Sequence, residues 1–239
     1  MWQTGAMAAI RTARERARDE LTREIKAEAR RQLAADGAQR LSLRAVAREL
    51  GMVSSALYRY YPSRDELLTA LIIDAYDALG EQVEQAVAAV PDPGGARARW
   101  LALCASARAW ARSSPHEFAL IYGTPVPGYV APQETVGPAA RVAMVLVALL
   151  VDAGPGAVGP GRRPPGGALA EQLAAVAEQI APGLDPGLLA RGIAALAQLI
   201  GLVSFELFGQ LVGSAEPADH LFDYSAEVLA DTLGLPDPR

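Results

Sequence analysis

The residues from Leu41 to Leu68, LSLRAVARELGMVSSALYRYYPSRDELL, restrict the possible folds of this chain more than any other part of the sequence. Apolar residues at helical spacing predict a short helix there: Leu43, Val46 and Leu50. Ser42 is the expected N-cap, and Gly51 ends the helix because glycine tolerates the left-handed backbone of a tight turn. The segment therefore predicts two short helices joined by a turn, with a third helix behind them.

The second short helix is expected from about Ser54 to Tyr60, with Leu57 pointing inward. Pro62 ends it, because the residue before a proline is pushed out of helical geometry. The polar and aromatic side chains left to face a groove are Ser54, Ser55, Tyr58, Arg59 and Tyr60.

Longer helices flank this motif on both sides. The periodicity predicts a first helix from about Thr12 to Ala35, with Leu21, Ile25, Ala29 and Leu33 on one face. A capping box at Ser63 opens a third motif helix that continues toward Pro91. About 27 residues rising about 1.5 Å each make a rod near 40 Å long. The first 70 residues are thus expected to form one domain, with residues 1–11 disordered, and the rod joins them to a body of residues 71–239.

The body is expected to be all-α as well. Its predicted helices span 96–113, a helix with a capping box at Ser114, 133–153, 168–180, a helix capped by Asp185 over 186–212, and 218–233. The Gly/Pro-rich residues 154–167 are expected to form a flexible loop. No strand is predicted anywhere in the chain.

Charge is distributed unevenly along the sequence. Residues 1–70 hold 13 Lys and Arg against 9 Asp and Glu, whereas residues 71–239 hold 9 against 18. A basic head on an acidic body is the arrangement expected of a protein that brings one end to a polyanion.

Several classes of protein are disfavoured. The longest apolar run, from Val142 to Val151, is shorter than the roughly 18 residues a membrane span requires, so we expect no membrane partner and a cytoplasmic location. Cys104 lies in an apolar helical pattern and is expected to be a buried, inert thiol. The sequence offers no metal-ligand set, no cofactor motif and no catalytic residues, so we expect neither metal, cofactor nor enzyme activity.

The helix predicted at 186–212 is apolar on two faces, although a chain's own core needs only one. We interpret the second face as a homodimer interface, formed with the last helix against a second copy. The alternative is a helix surrounded by its own core. The candidate interface residues are Leu188, Leu199, Leu202, Phe205, Phe208 and Val212.

The pattern L-S-L-R-A-V-A-R-E-L-G-x(5)-L-Y-x-Y-Y-P-S-R-D-E-L-L resembles the N-terminal domain of the TetR family of bacterial transcriptional regulators. The body resembles the branch of that family with a spaced Trp-His-Gly signature, here Trp110, His116 and Gly123. The resemblance implies an all-α homodimer, a helix-turn-helix head that binds double-stranded operator DNA, and a C-terminal ligand-binding and dimerisation domain.

Carried onto this sequence, the resemblance implies that Arg44 contacts a base or phosphate and that Tyr58 and Arg64 contact phosphates. Arg59 and Tyr60 would lie near base edges or backbone, although a packed Tyr60 ring is the open alternative. Many relatives have Ser and Gly where this chain has Val53 and Ser55, so the helix cap is expected to shift to Ser54. The full set of candidate DNA contacts is Ser42, Arg44, Ser54, Ser55, Tyr58, Arg59, Tyr60 and Arg64.

A small, largely hydrophobic effector is expected to bind among the central helices and tilt the rod, because a shift in the spacing of two heads changes operator affinity. Candidate ligand contacts, each with core packing as its alternative, are Trp110, His116, Phe118, Tyr122, Met144 and Phe205. The sequence thus predicts a ligand-responsive repressor that binds a palindromic operator as a dimer. A helical sensor without DNA binding and a transcriptional activator remain the alternatives.

Overall fold

The computed structural model of the protein describes residues 13–91, 95–154 and 164–236. The secondary structure of these ranges is helical, with no strand in them. The α-helices are α1 (Ala13–Asp36), α2 (Leu43–Glu49), α3 (Ser54–Leu57), α4 (Arg64–Ala88), α5 (Gly95–Ser113), α6 (Pro115–Tyr122), α7 (Val136–Ala153), α8 (Gly167–Ile180), α9 (Pro186–Leu207) and α10 (Asp219–Leu233). Short 3₁₀ helices occupy Ala38–Arg40 and Gln133–Thr135. The all-α prediction is confirmed.

Two predictions concern residues outside the described ranges. The expected disorder of residues 1–11 lies wholly outside them, and the expected flexible loop at 154–167 lies mostly outside them.

Contacts divide the chain into two compact units. The first comprises Met1–Leu71 with Pro125–Val130, and the second comprises Ile72–Thr124 with Ala131–Arg239. Helix α4 belongs to both units in sequence, since the division falls between Leu71 and Ile72.

The core of the first unit is built from apolar residues at helical spacing. Ile25, Ala29 and Leu33 are buried along one face of α1, as the four-residue spacing predicts. Leu57 from α3 is fully buried, and so are Leu67 and Leu68 at the start of α4. These contacts fix the orientation of the two short helices and leave their polar sides at the surface.

Helix α3 begins at Ser54, as predicted, but its cap and its end differ from the prediction. Its N-cap is Val53, whose side chain makes no capping hydrogen bond, so the expected cap at Ser54 is wrong. The helix ends at Leu57 rather than near Tyr60, and the residues from Tyr58 to Tyr60 form a turn instead.

The core of the second unit contains buried residues from each helix from α4 to α10, and α8 packs on α9. Trp100 of α5 is fully buried, and its Nε1 donates a hydrogen bond of 2.9 Å to the carbonyl oxygen of Ala226 in α10. Cys104 is buried in the same core, as predicted, and burial raises the pKa of its thiol. Ser114 precedes α6 but makes no side-chain capping bond, so the capping box expected there is wrong.

Helix α9 is shorter than the sequence suggests. Asp185 caps its N-terminus, with the Leu188 amide donating to Oδ1 at 2.8 Å, as predicted. Its C-cap is Phe208, and Gly209 follows with φ of 79°. The predicted end at Val212 is therefore wrong, because Gly209 adopts a backbone conformation that a helix cannot continue through.

Three arginines join helices of the second unit through carboxylates. Arg97 of α5 donates to Glu227 and Asp231 of α10. The corresponding partners of Arg108 are Glu206 and Asp219, and those of Arg141 are Asp77 and Glu84. Each arginine is half-buried or buried, where such hydrogen bonds are less exposed to water than surface ion pairs.

Two helical stretches, Gln133–Ala153 and Pro186–Leu207, are long and apolar enough to cross a membrane by length and composition alone. Core helices of water-soluble proteins meet the same criterion, so the two stretches do not indicate a membrane protein.

Candidate nucleic-acid interface and effector cavity

Two candidate DNA contacts, Ser42 and Arg44, lie at the start of α2. Ser42 is the N-cap, and its Oγ accepts a hydrogen bond of 3.4 Å from the Ala45 amide, which confirms the predicted cap. Arg44 lies two residues later with its side chain exposed. Its guanidinium is therefore accessible to an anion, whereas the Ser42 hydroxyl already serves the helix.

The turn after α2 positions α3 so that one of its sides packs against the core. Gly51 adopts φ of 65°, and the Met52 amide donates to the Ala47 carbonyl at 2.8 Å. With Leu57 facing the core, Ser55 and Tyr58 are left exposed, and Tyr58 retains 41 % of its surface. Ser54 is half-buried.

Arg59 and Tyr60 follow α3 and face the N-terminal part of α1. Arg59 is exposed, whereas Tyr60 is half-buried. The guanidinium carbon of Arg18 lies over the Tyr60 ring, 5.5 Å from its centroid. The packing that was the open alternative for Tyr60 is thus present, and a DNA contact by this residue stays a prediction.

Arg64 begins α4 and is already engaged by the protein backbone. Its Nη2 donates to the Ala38 carbonyl at 2.9 Å, and its Nε donates to the Leu41 carbonyl at 3.2 Å. The predicted cap of α4 is present beside it, because the Glu66 amide donates to Ser63 Oγ at 3.1 Å. Arg64 holds the connection before α2 in place, and its phosphate contact stays a prediction.

The residues Pro125–Val130 belong to the first unit although they lie far along the chain. The hydroxyls of Tyr129 and buried Thr69 are 2.8 Å apart and share a hydrogen bond. No helix or strand was predicted for this proline-rich stretch. The one local signal was a tyrosine among prolines and glycines, and this type of residue is usually packed rather than solvated.

A small apolar cavity lies within the second unit. Its volume is about 20 Å³, room for roughly one water molecule. The residues that line it come from five helices and carry a single polar group, the hydroxyl of Tyr122: Leu79, Ala107, Phe118, Tyr122, Val142, Leu196, Leu199, Ile200 and Val203.

An aromatic cluster closes one side of this cavity. The rings of Phe118 and Tyr122 lie 5.2 Å apart, and the Tyr122 ring meets that of Tyr76 edge-on at 6.0 Å. Burial raises the pKa of Tyr122 to about 12, and it also raises the pKa of Tyr76. Both phenols are therefore neutral near pH 7; the Tyr76 hydroxyl donates to the Ile121 carbonyl at 3.4 Å, and the Tyr122 hydroxyl is the polar group of the cavity lining.

The candidate ligand residues fall in different environments. Phe118 and Tyr122 line the cavity, and Trp110 is buried in the surrounding core. His116, Met144 and Phe205 are exposed instead. Only the first two are brought together at one cavity, so a ligand role for the others stays a prediction that this arrangement does not support.

An apolar groove runs between α9 and α10 on the surface of the second unit. It has a volume of about 380 Å³ and is lined by Gln198, Gly201, Leu202, Phe205, Tyr224, Ser225, Val228 and Leu229. Phe208 and Val212 are also exposed, whereas Leu188 and Leu199 are buried in the chain's own core. Those two leucines have little area left for a partner, so the candidate interface reduces to the groove and its exposed neighbours.

Comparison with known families agrees with both units. The profile described as bacterial regulatory proteins, tetR family, matches residues 25–71. The profile described as tetracyclin repressor-like, C-terminal domain, matches residues 100–229, which is more than half of the chain. The chain belongs to the TetR family.

Solved structures of other proteins share this TetR-family fold. The regulatory protein SCO4313 is 34 % identical, with a TM-score of 0.77 over 92 % of this chain and 100 % of that one. A protein of unknown function from Rhodococcus sp. RHA1 is 26 % identical, with a TM-score of 0.67 over 90 % of this chain and 95 % of that one. At 18 % identity the TetR-family regulator PfmR from Thermus thermophilus agrees in fold alone, with a TM-score of 0.55 over 86 % of this chain and 96 % of that one.

Curated relatives are transcriptional regulators. The HTH-type transcriptional regulator Rv1816 of Mycobacterium tuberculosis is 49 % identical over 128 residues, and the regulator Mb1846 of Mycobacterium bovis matches equally. The match covers 53 % of this chain and spans about half, 54 %, of each relative. These names agree with the family assignment of this chain, because both relatives are described as transcriptional regulators of the helix-turn-helix type.

Proposed function

We propose that this TetR-family regulator is a repressor that binds a palindromic operator as a homodimer and is released by a small, largely hydrophobic effector. The observation that carries the proposal is an exposed set of side chains: Arg44 on α2, Ser55 on α3 and Tyr58 directly after α3, where buried leucines fix the backbone. Guanidinium and hydroxyl groups donate to phosphates, and arginine can also read guanine in the major groove.

Tyr58 and Arg44 are the principal DNA contacts of this proposal. Both are exposed, and the local backbone of each is fixed by a helix terminus and a buried leucine neighbour. Ser54 and Ser55 stand at the first turn of α3, while Ser42 and Arg64 contribute chiefly by holding the backbone in place. Arg59 and Tyr60 complete the set at the end of the turn.

The homodimer is proposed to form through the groove between α9 and α10. Phe205, Tyr224 and Val228 are large side chains that are exposed there. An exposed apolar surface of this kind often marks a site that a partner protein covers. A second copy related by a twofold axis presents the same face, so four helices can close into a bundle. Two heads then read half-sites about 34–36 Å apart.

The effector is proposed to enter the cavity beside Phe118 and Tyr122. The cavity is too small for a drug-sized molecule, so binding requires its lining side chains to move apart. Leu79 lines the cavity and belongs to α4, the helix that begins at Arg64 in the DNA-binding unit. A coupling of about 1–3 kcal/mol between effector and operator would weaken DNA binding about 5- to 150-fold. The protein is proposed to act in the cytoplasm.

The test begins by selecting bound fragments of genomic DNA with the full-length protein. The recovered operator is then bound by the parent, Arg44→Ala and Tyr58→Phe proteins under identical salt conditions. We expect each substitution to weaken operator binding while leaving the oligomeric state unchanged. Failure of the parent to select any sequence would support the sensor without DNA binding. Transcription from the operator with and without the protein separates a repressor from an activator.

A further inference from the structure

A groove in the first unit lies between α1 and residues 51–60, which comprise the turn after α2, helix α3 and the turn that follows it. We call residues 51–60 the recognition turn. Its volume is about 430 Å³, and its lining comes from α1 on one side and from the residues after Gly51 on the other. The lining residues are Arg14, Ala17, Arg18, Leu21, Met52, Ala56, Arg59 and Tyr60.

Charge in this groove has one sign. Arg14 and Arg18 are four residues apart and therefore share a face of α1, and Arg59 approaches from the opposite wall. No carboxylate occurs among the described residues that line it. Three guanidinium groups around one depression attract an anion, and the surrounding residues 1–70 carry an excess of positive charge that strengthens this attraction.

Packing holds part of this groove in a defined geometry. The Arg18 guanidinium carbon lies over the Tyr60 ring, 5.5 Å from its centroid, and this cation–π contact attracts the charged group to the ring. Arg59 precedes Tyr60 and lines the same groove, so two guanidinium groups lie at one depression. Guanidinium groups donate paired hydrogen bonds to phosphate oxygens, so this pair suits a phosphate.

We propose that this groove binds the phosphodiester backbone of the DNA beside the major groove that α3 reads, with Arg14 and Arg18 as phosphate contacts. The proposal rests on the proposed function, because the exposed Tyr58 and Arg59 place the polyanion next to the groove. A phosphate contact carries no sequence information. The groove therefore raises affinity for every duplex and fixes the register in which α3 meets the bases.

The proposal is tested on a random-sequence 30-base-pair duplex as well as on the selected operator. Fluorescence anisotropy is measured from 50 to 300 mM salt for the parent and for the double variant Arg14→Ala/Arg18→Ala. Each lost phosphate contact lowers the slope of log K against log salt by about 1. We expect the slope of the double variant to be smaller in magnitude by about 2 on both duplexes. Its preference for the operator over the random duplex should therefore be unchanged.

Two matched variants separate charge from packing. Arg16 is also exposed on α1 but points away from the face shared by Arg14 and Arg18, so Arg16→Ala should keep the parental slope. Arg18→Lys keeps the charge and replaces the planar guanidinium, so it should retain most of the slope. Thermal unfolding followed by circular dichroism verifies that each variant is folded.

The outcomes are distinguishable from failure of the proposed function. If the parent binds both duplexes and the double variant keeps its slope, the groove proposal is overturned and the regulator stands. The proposal is also overturned if Arg16→Ala lowers the slope as much per arginine as the double variant does. Total charge, and not position in the groove, would then determine the slope. Saturable binding of inorganic phosphate that the double variant abolishes, with an unchanged DNA slope, would reassign the groove to a small anion. If the parent binds no duplex at 50 mM salt, both proposals fall.

Discussion

Arg141 of α7 holds Glu84 of α4 by two parallel hydrogen bonds, 2.9 Å from Nε to Oε1 and 2.7 Å from Nη2 to Oε2. The same guanidinium reaches Asp77, about two turns earlier on α4, where Nη1 is 2.9 Å from Oδ1. Val142, the next residue, and Leu79 both line the cavity of the second unit. Arg141, Glu84 and Asp77, which we call the clamp, therefore lie directly beside the proposed effector site.

Gly80 allows α7 to approach α4 at this clamp. A Cβ on Gly80 would lie 2.8 Å from Cβ and 2.7 Å from Nε of Arg141, closer than real side chains come. Gly80→Ala gains helix propensity of up to about 1 kcal/mol, but overpacking costs about 1–3 kcal/mol. We expect a net loss of about 1 kcal/mol in the free energy of unfolding, measured by urea denaturation. Gly137→Ala on α7, with open space at its Cβ, should be neutral or stabilising.

Glu84 makes stability depend on acid pH. The hydrogen bond from Arg141 lowers the pKa of Glu84 below its ordinary value of 4.5. A lowered pKa adds stability that is fully present above pH 4.5 and is lost as pH falls through the lower, folded-state value. Unfolding free energies from pH 3 to 7 should thus fall less steeply on the acid side for Glu84→Gln than for the parent. Glu81→Gln is the matched variant, because the Glu81 carboxylate on the same helix accepts from Gln85 and not from Arg141, and identical profiles for all three proteins would contradict the prediction.

Arg64 should affect the fold of the first unit apart from any effect on DNA. Its substitution by alanine leaves the carbonyls of Ala38 and Leu41 without their charged donor. Loss of such bonds costs about 1–3 kcal/mol. Chemical denaturation of Arg64→Ala is compared with that of Arg48→Ala, whose exposed pair with Glu49 is worth about 0–1 kcal/mol. Equal stability of the two variants would show that Arg64 is not structural.

Phe205 should control the oligomeric state. It keeps 53 % of its surface in the isolated chain and lines the groove between α9 and α10. A charge buried at the proposed interface without a partner is costly, so Phe205→Asp should convert the proposed dimer to a monomer in light-scattering measurements. Ile193→Asp is the matched control, since Ile193 is on the same helix and 54 % exposed but does not line the groove. Dissociation by both variants, or by neither, would place the interface elsewhere.

Leu199 should determine the size of the effector cavity. It is 2 % exposed, and truncation of such a residue to alanine costs about 2–5 kcal/mol. The enlarged cavity is apolar and should bind benzene, which stabilises the variant by mass action. Benzene should raise the midpoint temperature of thermal unfolding of Leu199→Ala. It should not raise that of Leu169→Ala, whose side chain is half-exposed on α8. A parent that gains as much as Leu199→Ala would contradict the prediction.

The sequence predicts best what neighbouring residues decide. The buried face of α1 follows from a repeat of four residues, and the caps at Ser42, Ser63 and Asp185 follow from a hydroxyl or carboxylate three residues before an unpaired amide. The same rule failed at Ser114, whose side chain makes no capping hydrogen bond although Pro115 occupies the first helical position. Local rules state what a residue can do, and packing decides whether it does so.

Contacts between distant parts of the chain were not predictable from the sequence. Arg141 pairs with carboxylates that lie 57 and 64 residues earlier, and no spacing rule connects such positions. The groove between α1 and the recognition turn was missed for the same reason, since Arg14 and Arg18 belong to an ordinary charged helix until Tyr60 is placed beside them. The predicted second face of α9 failed in part because Leu188 and Leu199 turn toward the core.

The hydrogen bond between Thr69 and Tyr129 also sets an order of events during synthesis. The two residues are 60 positions apart, and a ribosome adding about 5–20 residues per second needs about 3–12 s to produce the second after the first. The contact of Thr69 with Tyr129 therefore cannot form until Pro125–Val130, made only after α5 and α6, has been synthesised. The part of this regulator that is translated first is completed by a part translated later.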